Sequence, residues 1–174
     1  MATQWQIFPR SLIPPEHLRQ VVAAFESVNA LLETPLKQPK SNEALAIVKP
    51  ELELLGYSVE SGKTAAKVLN RPVLFGLNGR PTKTFQVDAF HEATGTVVEG
   101  EAGGGVANHR FLKDLFEACA IPDAEYLVIA VMNEYLGGNA GSAKNFATVT
   151  SFLDTLYASG RLDLPLKAVL VIGY

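Results

Sequence analysis

The chain has 174 residues, 48% of them hydrophobic and 19% charged, with a formal net charge of −3. That length and composition suit one globular domain with a real core and exclude a disordered chain, while the net acidity excludes a protein that coats nucleic acid non-specifically through lysine and arginine. Cys119 is the single cysteine, so an intramolecular disulfide is excluded; no stretch approaches the roughly 20 apolar residues of a membrane span, and the opening MATQWQIFPR lacks the layout of a secretory signal. A cytoplasmic protein without a membrane partner is expected.

In chain order, Leu18, Val21, Val22, Phe25, Val28, Leu31 and Leu32 recur at helical spacing, which predicts an amphipathic helix from Pro15 to Leu32. Pro35 and Pro39 end it in a linker-like stretch to Ser41, dividing an N-terminal helix and linker (1–40) from the core (41–174) of a single domain. Ser41 or Asn42 can cap a second helix carrying Leu45, Val48, Leu52 and Leu55, which Gly56 stops. Pro50 within it predicts a kink or a division. Tyr57 to Glu60 and Pro72 to Leu77 read as short strands, the latter closed by an Asn78-Gly79 turn.

Two β-prone runs, TFQVDAFH (84–91) and TVVEGEA (96–102), flank Glu92-Ala93-Thr94-Gly95 and predict an antiparallel hairpin. A helix from Asn108 to Cys119 follows, with Phe111, Leu112, Leu115 and Phe116 as its apolar face. The unbroken apolar run Tyr126 to Met132 predicts a strand buried on both faces. Another helix, Ala143 to Tyr157, and a buried strand, Ala168 to Ile172, complete the order. Strands joined by crossover helices imply an α/β fold with a mixed sheet and helices on both faces.

A hairpin symmetric about its loop places Asp88 opposite Glu99 and Gln86 opposite Glu101, all on one side of the sheet. Val87, Ala89, Val98 and Gly100 fall on the other, suited to packing against a helix. The Cα atoms of Asp88 and Glu99 would then lie about 4.5–5.5 Å apart. Three carboxylates that close repel one another unless protonation or a cation intervenes. Mg²⁺ or Mn²⁺ meets that need, because a hard divalent ion takes oxygen ligands and joins carboxylates to a substrate phosphate. The ordinary alternative is the solvated face of a hairpin.

These residues and the element order around them resemble the PD-(D/E)XK nuclease superfamily, over roughly Ser41 to Met132. Its core sets an acid on one hairpin strand and acid-x-Lys on the next, with a helix before and a helix and strand after. In this chain Glu101 stands where that lysine would be, and Val87 rather than proline precedes Asp88. Glutamate at the third position is similar to the BamHI/BglII-like branch of restriction endonucleases. The resemblance implies a restriction-endonuclease-like mixed sheet, with Asp88 and Glu99 as metal ligands and Glu101 as a ligand or general base. Glu43 matches the acid that many members carry on the preceding helix, and equally suits a first helical turn. Lys63 and Lys83 are candidates for a migrated lysine.

From Ser61 to Val87 there are five basic residues and no acidic one, a run that usually marks a solvated surface. Beside the acidic hairpin it would hold a DNA backbone through Lys63, Lys67, Arg80 and Lys83, with Arg110 and Lys113 added from the helix after Gly103-Gly104-Gly105. The glycines themselves release a strand into a turn or receive a phosphate. His91 falls on the far side from Asp88, His17 is expected to be exposed, and Trp5, Tyr57 and Tyr135 are expected to pack. The leading expectation is a divalent-metal-dependent phosphodiesterase, endonuclease-like, acting on DNA; the alternative is a non-catalytic interaction protein on a nuclease-like scaffold. Site specificity would require a partner or a homodimer.

Overall fold

The computed structural model describes residues 2–32, 41–62, 64, 67–101, 106, 108–137 and 141–174. Pro35 and Pro39 of the expected linker, Lys63, and Gly103 to Gly105 lie outside them.

Among the described residues, ten strands and four α-helices follow in order: β1 (Gln4–Phe8), α1 (Glu16–Leu32), α2 (Ser41–Leu54), β2 (Ser58–Val59), β3 (Leu69–Phe75), β4 (Pro81–Val87), β5 (Ala89–His91), β6 (Thr96–Glu101), α3 (Arg110–Ala120), β7 (Tyr126–Val131), β8 (Tyr135–Gly137), β9 (Gly141–Ala143), α4 (Asn145–Ser159) and β10 (Ala168–Gly173). Six strands form a mixed sheet in the order β1-β10-β7-β6-β5-β2. Its centre, β6, β7 and β10, is parallel; β1, β5 and β2 join antiparallel. The central strands are apolar runs because both of their faces are covered: every residue of β10 is buried, and so are Leu127 to Val131 of β7.

Alternation along the strands divides the core in two. Ile7, Ala89, Val98, Val128, Ala130 and Leu170 face α1 and α2. Phe90, Val97, Leu127, Ile129, Val169 and Val171 face α3 and α4. Both crossovers, β6-α3-β7 and β7-α4-β10, lie on that second face and step the same way across the sheet, as consistent handedness requires.

Several expectations are corrected. Pro50 does not divide α2, which runs unbroken to Leu54. Ala46 and Pro50 both sit on its exposed side, where water can take the carbonyl that proline leaves unbonded. His17 is half-buried rather than exposed: α1 lays its ring edge-on to Tyr126, with centroids 4.6 Å apart. Trp5 is 39% exposed rather than packed, being on the edge strand β1, an element the sequence reading passed over. On α3 the buried positions are Phe111, Asp114, Leu115 and Ala118, while Leu112 and Phe116 turn outward; Phe116 meets Phe85 of β4 edge-on instead.

The expected long hairpin is also divided. Ala89 pairs with Val98, Phe90 with Val97 and His91 with Thr96, the anticipated register. At Asp88, however, the chain bends, and β4 leaves the sheet to pair with β3 as a separate two-stranded arm. Gln86 accordingly faces Asn70, not Glu101. Arg71 fastens the arm's root: its guanidinium lies 3.8 Å over the Phe90 ring and forms ion pairs with Glu92, at 2.6 Å, and with Asp123.

The β5–β6 turn depends on Gly95. Its φ is +62°, its carbonyl accepts the amides of Glu125 and Tyr126, and a Cβ there would come 2.4 Å from the Asp123 carbonyl oxygen. Gly95→Ala is expected to lower unfolding free energy by about 1–3 kcal/mol, since it adds left-handed strain to a backbone clash. Urea denaturation with unchanged midpoint would refute that account of the turn.

Candidate functional site

The bend at Asp88 follows from a mismatch of partners. Once β4 departs, the edge of β6 beyond Val98 has lost its strand, and buried backbone donors must find other acceptors. The Asp88 side chain supplies one: Oδ2 accepts the Gly100 amide at 2.9 Å. In return the Asp88 amide donates to the Glu99 carboxylate. The Asp88 carbonyl accepts the amide of Glu60 at 2.8 Å. Asp88 is thus joined to the end of β6 twice, through its side chain to the Gly100 amide and through its own amide to the Glu99 carboxylate.

Glu99 and Glu101 share the strand face of Val97 and point toward α3. There they meet Asp114, a buried acid that the sequence reading did not single out. Glu101 and Asp114 approach each other as hydrogen-bond partners, and the contact raises the Glu101 carboxyl. Asp114 Oδ2 has no hydrogen-bond partner. The signal was present in the sequence, since Phe111, Asp114 and Ala118 have the spacing of one buried helical face, with an acid among apolar residues.

The electrostatics follow from this crowding. Glu99 is 8% exposed, and burial pushes its carboxyl well above the usual range, with the Asp88 and Asp114 carboxylates adding to the rise. Glu101 is pushed up to about 7 by burial and by Asp114. Asp114 is raised, chiefly by burial. Lys113 and Arg110 oppose this: Lys113 lowers Glu99, and Arg110 lowers Glu101. Lys113 Nζ stands 2.8 Å from Glu117 and 3.7 Å from Asp114. Burial alone would lower its pKa, but those carboxylates and Glu99 carry it upward.

Tyr174 completes the surroundings. Burial raises its hydroxyl, and the fields of Glu101 and Asp88 raise it further. The acids therefore gather at the carboxyl ends of the parallel strands β6, β7 and β10, the end of an α/β sheet where ligands ordinarily bind.

The other anticipated residues are distributed differently. Glu43 occupies the first turn of α2, in the layer opposite α3, and Glu60 is the buried acid beside the Asp88 backbone. Lys67, Arg80 and Lys83 are exposed, the last two on the arm, where Lys83 Nζ lies 5.2 Å from the Phe85 ring centre. Among the described residues, Lys113, from α3, lowers the Glu99 carboxyl through its charge. Among the described residues, no three His, Cys, Asp or Glu side chains are grouped as a ready-made metal cage. None of the described helices is long and apolar enough to cross a membrane.

The chain is similar in structure to restriction endonuclease BglII, solved in complex with a DNA 16-mer. The match has a TM-score of 0.53 at 13% identity and covers 99% of this chain and 76% of that one. It establishes a restriction-endonuclease-like fold. No family model and no curated protein matches the sequence.

A raised carboxyl binds its proton more tightly in the folded chain than in the unfolded one. Between the ordinary 4.5 and about 7, Glu101 is protonated only in the folded state, so its contribution to stability is complete below that window and lost above it. In metal-free buffer the melting temperature should fall as pH rises from about 4.5 to 7, and Glu101→Gln should flatten that slope. An identical slope in the variant would show that Glu101 does not titrate there.

Proposed function

We propose that this chain is a divalent-metal-dependent phosphodiesterase, endonuclease-like, that acts on DNA. The observation that carries the reading is the gathering of Asp88, bonded to the Gly100 amide and to the Glu99 carboxylate, with Glu101 and Asp114 at the carboxyl end of the parallel strands of a restriction-endonuclease-like sheet.

Carboxyls raised by burial, and further by one another's charge, suit a hard cation, and the donor set is all oxygen. A three-acid cage is not required, because Mg²⁺ is commonly held by one or two carboxylates together with waters and substrate phosphate. Asp88 and Glu99 would hold Mg²⁺ or Mn²⁺, with Glu43 the further candidate from the helix before the hairpin. Such an ion, when bound, neutralises charge on a phosphate and acidifies water.

The protein's own groups supply the rest. Glu101, pushed up to about 7, suits a general base, since proton transfer is most effective near the working pH. Asp114 holds the Glu101 carboxyl in one orientation through their shared hydrogen bond. Lys113 and Arg110 bring positive charge to the side where a phosphate would approach, and Lys67, Arg80 and Lys83, with Lys63, would continue that charge along a nucleic-acid backbone. Cleavage of both strands of a duplex calls for two such sites, which a homodimer would provide.

Replacing Asp88 or Glu99 by Ala should lower cleavage of plasmid DNA in Mg²⁺ or Mn²⁺ by about 10²–10³-fold, with the circular-dichroism spectrum preserved. Glu101→Gln should cost about 10²–10⁴-fold, as loss of a general base does. Undiminished activity in both alanine variants would sink the assignment.

Glutamate at position 101, where the family carries a lysine, and the net charge of −3 favour one second reading, a non-catalytic interaction protein on the same scaffold. It requires that neither ion bind. Calorimetric titration with Mn²⁺ separates the two: heat that disappears in Asp88→Ala supports the enzyme, and no heat, with DNA absent or present, supports the scaffold.

A further inference from the structure

We infer that the β3–β4 arm is the element that enters the groove of double-helical DNA, its apolar tip against the bases and its cations along the backbone. The inference rests on the DNA reading above and names the form of the nucleic acid and the surface that meets it.

The arm differs from the rest of the chain in being anchored firmly at one end and bare at the other. Its root is Leu69 paired with Val87, and Val87 is buried in the core beneath α3. Arg71, over Phe90 and paired with Glu92 and Asp123, and Phe85, against Phe116, hold the root to the body. The tip has no such cover. Leu74 is 61%, Phe75 58% and Leu77 85% exposed, around a turn closed by the Gly76 amide on the Arg80 carbonyl at 2.8 Å. Three large apolar side chains on one short turn are more than the scattered exposure usual on a soluble surface.

Charge selects the occupant. The stretch from Ser61 to Val87 has no acidic residue, and among the described residues Arg71 is the arm cation committed to ion pairs at the root. Arg80 and Lys83 are exposed on either side of Pro81 and Thr82. A second copy meeting the arm symmetrically, arm to arm, would present the same cations and be repelled, whereas a polyanion is attracted. Position selects among polyanions: Val87, the last residue of the arm, directly precedes Asp88, so whatever the arm grips lies beside the acids. Shape narrows the choice further. The major groove of B-form DNA, about 12 Å wide, admits a two-stranded β-ribbon, whereas the deep, narrow major groove of duplex RNA does not. Apolar side chains at such a tip can contact thymine methyls or press between base steps.

The test is fluorescence anisotropy with a labelled DNA duplex in EDTA, where binding is read without cleavage, across a series of salt concentrations. Arg80→Ala combined with Lys83→Ala should weaken binding by about tenfold or more and reduce the slope of log K against log salt by about two. Leu74→Ser, Phe75→Ser and Leu77→Ser together should weaken binding several-fold at unchanged slope, as non-ionic contacts do. All five positions are solvent-exposed, and melting curves check that the fold is kept. Duplex RNA should bind at least tenfold less tightly than DNA of the same sequence. Wild-type affinity and slope in both arm variants would overturn the inference while leaving the nuclease reading intact. Equal affinity for duplex RNA would overturn groove entry, and capture by phosphatidylserine vesicles with no DNA binding would overturn both.

Discussion

The structure depends on a backbone donor that has lost its strand. Where β4 leaves the sheet, the Gly100 amide on the edge of β6 faces a gap, and a side chain must take the place of a carbonyl. Asp88 does this while its own amide and carbonyl bond to Glu99 and Glu60. One residue therefore ends the pairing of β5 with β6, starts the arm, and fixes two acids against each other. An asparagine could accept the same amide hydrogen bond, but it would not bring a second negative charge to Glu99.

That arrangement concentrates unfavourable charge where the fold is otherwise most apolar. Glu99 is buried, Glu101 and Asp114 are pressed against each other, and Lys113 with Arg110 offset only part of the repulsion. A site poised in this way is sensitive to any cation or proton that enters it. The cost is tolerable because the surrounding framework is strong: β6, β7 and β10 are parallel, buried on both faces and covered by four helices in two layers. Polar strain at the ends of such strands is a common trade between stability and chemistry.

The arm and the acidic site are products of the same bend. Had β4 continued along β6, Lys83 and Arg80 would have belonged to the sheet's edge, and Gln86 would have faced Glu101. Departure of the strand lifts the cations away from the carboxylates and leaves the acids facing α3. Positive and negative charge are separated in space although they lie close in sequence.

Much of this was legible before any coordinates. Periodicity located α1, α2, the buried runs of β7 and β10, and the register by which Ala89 meets Val98. Those features are local, set by the spacing of apolar side chains and by turn residues such as Gly56 and Gly95. Asp88, Glu99 and Glu101 were also legible as neighbours, because a hairpin's register follows from its loop. The bend at Asp88 was not, because β4 can pair equally well with β6 or β3, and competition among distant partners decides between them. Asp114 was hidden for a related reason. Its spacing with Phe111 and Ala118 places it on a buried face, but only the packing of α3 over β6 shows that a carboxyl is what it meets there. Sequence alone determined the main helices, the buried central strands and the closeness of Asp88 to Glu99; tertiary structure decided which strands pair, that Asp114 joins the acids, and where the arm departs, because those outcomes are set by contacts between segments far apart in the chain.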